Sequence, residues 1–188
     1  MTTAHVGQLR LADLRTRERA TGAVLPTATR MWAALAALGF GLVTLGIGAG
    51  HLDHHLPVGV ALTVVGVLGI GWAVLALRGT LPRPRPATLT LVVLAPAVLL
   101  SAPLTGTALT AAEASALALG LGASVLTALH LRIGVDQSAP PAGRLALALF
   151  VGAMLIAAVI VPGLAATTAG EHAVPHGSHG LPTEEHHH

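Results

Sequence analysis

The residues best suited to chemistry in this chain are its histidines, eleven in 188 residues. His51, His54 and His55 fall together in the segment HLDHH, with Asp53 among them. His172, His176 and His179 follow in a Gly- and Pro-containing tail that also holds Glu171, Glu184 and Glu185. Neutral imidazole is the commonest metal ligand, and carboxylates complement it around Zn²⁺. If a helix continues one turn through HLDHH, His51 meets His54 or His55 at i+3 or i+4, which makes a two-ligand face. One or two tail imidazoles would then complete a tetrahedral shell. The expected metal set is His51, Asp53, His54, His55, His172, His176 and His179. With cysteine absent, ligand softness favours Zn²⁺ or Cu²⁺, or Ni²⁺, over Cu⁺. His186 to His188 have the form of an affinity-tag remnant and carry no functional argument.

Other uses of these histidines fit less well. Paired histidines can ligate haem axially, but such a site draws on buried positions of facing helices, and those carry no histidine here. Haem is therefore not expected. HLDHH resembles the HxxEH zinc-protease pattern in spacing alone, because His54 stands where the catalytic glutamate is needed. No Ser–His–Asp set, phosphate-binding glycine loop or paired carboxylates appear elsewhere, so the chain reads as a non-enzyme.

The elements that position the histidines are long and apolar. Five apolar stretches, Trp32–Gly50, Pro57–Leu77, Ala87–Leu104, Ala111–Leu129 and Leu145–Leu164, uncharged but for Glu113 near the start of the fourth, approach or reach the roughly 20 residues that cross about 30 Å of hydrocarbon. Hydrophobic residues make up 53% of the chain and charged ones 10%. A soluble domain carries about a quarter charged residues. The expected fold is an all-α integral membrane protein of five transmembrane helices joined by short loops, with a lipid bilayer as its principal partner. Residues 1–30 would form an Arg-rich cytoplasmic arm, 31–165 the bundle and 166–188 an extracytoplasmic His-rich tail. The pI of 11.0 comes from ten arginines with no lysine, tyrosine or cysteine, at a net charge of only +2, so no nucleic-acid partner is implied.

Arginine placement sets the expected orientation. Arg10, Arg15, Arg17, Arg19 and Arg30 precede the first span. Arg78, Arg83 and Arg85 lie between spans two and three, and Arg132 and Arg144 between four and five. All ten occupy alternate connections, so the positive-inside rule puts the N-terminus in the cytoplasm and the C-terminus outside. Nine histidines then share the outer face, leaving His5 and His130 on the inner one. A first apolar run this long after 30 residues argues against a cleavable signal peptide. Absent lysine with abundant Ala, Gly and Leu points to the plasma membrane of a GC-rich bacterium. The arm itself lacks a broad apolar face. It reads as a solvated retention signal more readily than as an interfacial helix.

Local signals mark the boundaries. Thr110 and Glu113 fit a capping box opening helix four, after an outer turn over Thr105–Leu109. Pro96 should kink span three. The link Arg78–Pro86, RGTLPRPRP, reads as extended and non-helical. Within the spans there is no central Asp, Glu, Lys, Arg or His, which argues against a proton-coupled carrier. Small residues form stripes at Ala116, Gly120, Ser124 and Ala128, at Ala114, Ala118 and Gly122, and at Gly46 and Gly50. Such stripes pack helices closely, either within the chain or against another membrane subunit. Two functions follow as expectations: binding or buffering of a divalent metal by the outer histidines, or service as a small accessory subunit of a respiratory or transport assembly.

Overall fold

The computed structural model describes residues 3–79, 81–134 and 140–171, with side chains described from Val24 to Gly170 apart from those gaps. It is all-helical among the described residues. Helix α1 covers Thr3–His51, α2 Leu56–Leu77, α3 Pro84–Thr105, α4 Ala111–Ile133, α5 Ala142–Ala165 and the single turn α6 Thr168–Glu171. Five of these are long and apolar enough to cross a membrane. The chain is thus a multi-pass membrane protein. At 1.5 Å per residue each spanning helix exceeds about 30 Å.

The helices continue past the expected span boundaries. Helix α1 runs unbroken through Arg30 into the first span. That charge is tolerated because the Arg30 guanidinium donates to the Ala76 carbonyl at the end of α2 (2.9 Å), where unpaired carbonyls favour a cation. The link Arg78–Pro86 is not wholly extended, because α3 starts at Pro84 and includes Arg85 and Pro86. Proline lacks only an N–H that a first helical turn leaves unpaired, so it is at home there. Helix α3 also continues unbroken through Pro96.

Helix α1 is the hub. It packs against α2, α4, α5 and α6, while α3 leans on α4 and scarcely touches α2. The most apolar stretch of α1 is 61% buried and that of α5 only 6%. Phe40, Val43 and Val98 are the largest fully buried apolar side chains. Helices α1 and α2 meet backbone to backbone in antiparallel register, with Gly41 opposite Gly66 and Gly48 opposite Gly59. A Cβ added at Gly41 would lie 2.7 Å from the Gly66 carbonyl oxygen, so only glycine permits this approach. The first stripe of α4 faces inward: Ala116, Gly120 and Ser124 are buried, and a Cβ at Gly120 would come 2.6 Å from that of Ala95. Gly46 and Gly50 receive Thr167 and Thr168 at the α5–α6 corner. The second stripe faces outward. Ala114 and Ala118 are exposed, and a Cβ at Gly122 would meet nothing within 4 Å.

Candidate functional site

The site is built where α1 ends. His51 is its last residue, and a tight turn over Leu52–His54 brings His55 to the N-cap of α2. The His55 amide donates to the His51 carbonyl (2.8 Å), and the Gly59 amide to that of His55 (2.9 Å). Helical connectivity therefore carries across the turn and stacks residues 51 and 55. Their ring centroids lie 6.1 Å apart with planes tilted by 45°. Both rings are half-buried, whereas Asp53 and His54 are exposed.

The protonation of His51 follows from its neighbours. Its Nδ1 lies 3.0 Å from the Ile47 carbonyl oxygen. A carbonyl can only accept, so Nδ1 carries a proton and, in the neutral ring, Nε2 carries the lone pair. That Nε2 sits 3.2 Å from Thr105 Oγ1. The Thr105 hydroxyl is also within 2.9 Å of the Ser101 carbonyl oxygen and 3.1 Å of that of Ala102. Its single proton can serve one acceptor at a time. While it serves the helix, a lone pair on oxygen faces the lone pair on Nε2. Donation by the Thr105 hydroxyl to Nε2, or a cation bound there, removes that opposition.

A cleft of about 360 Å³ opens beside this pair, lined by His51, His54, His55, Thr107, Thr110, Glu113, Thr167 and Thr168. Asp53 is not among its walls. Glu113 is 5% exposed and completes the expected capping box: Oε2 accepts from the Thr110 amide (2.8 Å) and the Thr110 hydroxyl (2.5 Å). Its carboxylate is thereby committed to the start of α4. Among the described residues no three His, Asp or Glu side chains gather closely enough to hold a metal ion. His172, His176 and His179 lie outside the described residues. Of the expected set, then, the structure brings together His51 and His55 and places His54 at the edge of the same cleft.

Sequence reasoning missed the threonines. Thr107 and Thr167 reach the cleft from the loop after α3 and the α5–α6 corner, and Thr105 of α3 meets the His51 ring. A hydroxyl near a helix end signals local bonding to the backbone, but nothing in the sequence says which other helix it will face. No family model matches the chain, and no curated protein or solved structure matches it either.

Proposed function

We propose that this multi-pass membrane protein binds a divalent transition metal, Zn²⁺ or Cu²⁺, at its histidine end, non-enzymatically, with His51 and His55 as the helix-borne ligands. The reading rests above all on the Nδ1–H of His51 held by the Ile47 carbonyl. Metal-bound histidines commonly donate their second ring N–H to such a group, which fixes the tautomer and turns the other nitrogen to the ion. Two imidazoles bound to one tetrahedral ion at about 2.0–2.1 Å have centroids roughly 5 Å apart, a small rotamer adjustment from the 6.1 Å separation here. Water and tail imidazoles such as His172, His176 and His179 would complete the shell. Arginines at the opposite end support a histidine end on the extracytoplasmic side of a plasma membrane. Zn²⁺ titration of the full chain by calorimetry is the test. His51→Ala/His55→Ala should remove one bound equivalent or weaken affinity at least tenfold, and wild-type binding should weaken on acidification as protons compete for imidazole. Unchanged stoichiometry and affinity in the double variant would refute the site.

The second reading, an accessory subunit of a larger membrane assembly, draws on the outward stripe Ala114, Ala118 and Gly122 and on the sparsely buried α5. Gly122→Leu would then release a co-purifying subunit while leaving the chain's own stability unchanged. Gly120→Leu, by contrast, overpacks the interior against Ala95 and Phe40 and should lose about 1–3 kcal/mol. Association that survives Gly122→Leu would remove the stripe as an interface.

A further inference from the structure

A second feature lies at the other end of the bundle. Helices α2 and α3 are consecutive but hardly touch, and between them runs a groove of about 910 Å³. Its floor is Ala37 and Phe40 of α1, and its sides are apolar, with Leu68 and Trp72 on α2 facing Leu91 and Leu94 on α3. It extends from Val65 to Arg78 along one wall and from Arg83 to Leu94 along the other, about 16–20 Å at 1.5 Å per residue. That is the depth of one leaflet of a hydrocarbon core about 30 Å thick, plus the headgroup level.

The mouth is positively charged and held in place. Arg78 and Arg83 line it, both exposed. The loop between them is pinned by buried Leu81, packed with Ala34 and Ala76, and by the Trp72 indole N–H donating to the Pro82 carbonyl (2.9 Å). Arg83 adopts φ +43°, a left-handed conformation uncommon for a long side chain, so the fold holds the backbone there against local preference. Pro84 and Pro86 remove two amides from the first turn of α3, which leaves guanidinium groups as the main anion donors at this mouth. The carboxylates whose side chains are described, Asp53 and Glu113, belong to the opposite end. Nothing described neutralises the pair.

We infer that the α2–α3 groove binds one anionic phospholipid, with an acyl chain along the apolar walls and the headgroup phosphate against Arg78 and Arg83. Basic pockets between spanning helices hold anionic headgroups in this way. The groove supplies the chain-binding half of the site, and the two guanidinium groups select the charge.

Native mass spectrometry of the full chain in a neutral detergent, given equal phosphatidylglycerol and phosphatidylcholine, tests this. The wild-type chain should retain phosphatidylglycerol on the order of tenfold better, and excess inorganic phosphate should not displace it. Arg78→Gln/Arg83→Gln should bring the two lipids level, while Arg85→Gln, outside the groove, should keep the preference. Gly71→Leu adds a side chain where a Cβ meets nothing within 4 Å on the groove wall, so it should reduce retention of both lipids. Its melting temperature without added lipid reports that the bundle is intact. Equal retention by the wild-type chain, a preference that survives the double variant, displacement by phosphate, or full retention by folded Gly71→Leu would each overturn the assignment.

Discussion

The two ends of this bundle are built differently. At the arginine end, side chains reach across elements to backbone carbonyls: Arg30 to Ala76, Trp32 to Ala148 (3.2 Å), Trp72 to Pro82 and His130 Nδ1 to Pro26 (3.0 Å). The Trp32 indole also fills the space left by Gly152 on α5. Each bond satisfies a half-buried side-chain donor, with a net contribution of about 0.5–1.5 kcal/mol. At the histidine end the helices are linked through His51 and Thr105, and a cleft remains open beside them. One end ties α1 to its neighbours. The other leaves two imidazoles and several hydroxyls accessible, which is the arrangement a ligand site needs.

The largest test of that contrast is Trp32→Ala. It removes the indole from the Gly152 notch and the bond to Ala148, and should lower stability by about 3 kcal/mol, a drop in melting temperature of roughly 6–12 °C for a chain of this size. His55→Ala, its counterpart at the open end, should change stability by no more than about 0.5 kcal/mol. Equal losses from both would erase the distinction between the ends. A smaller effect is expected from Arg30→Gln. It withdraws the cation from the last turn of α2 and should cost about 1 kcal/mol, seen as roughly 2–4 °C in the same thermal scan. No loss there would mean that the guanidinium is only solvated.

The spans were legible because a bilayer demands an apolar length that few other structures require. The capping box at Thr110 and Glu113 and a partner for His51 at His54 or His55 were legible because both are set by spacing along one helical turn; the fold selects His55. What escaped sequence reasoning is non-local. With 22 glycines in the chain, small-residue stripes occur on several helices, and only the assembled bundle shows that Gly41 meets Gly66. The run RGTLPRPRP read as extended because proline opposes helix interiors, yet Pro84 and Pro86 sit in the one turn that accepts them. The gap between α2 and α3 left no trace in the sequence, since neighbouring spans joined by a short loop would ordinarily pack together.

Hydrogen–deuterium exchange of the full chain, with and without Zn²⁺, tests the proposed division between a tied end and a ligand-binding end most directly. Zn²⁺ should slow exchange at the amides of the α1–α2 turn, His55 and Gly59 above all, because fixing both imidazoles also fixes the backbone bonds that stack them. Exchange around Arg30, Trp72 and Ala76 should stay unchanged. Protection confined to residues 172–188, or spread evenly over both ends, would contradict the account.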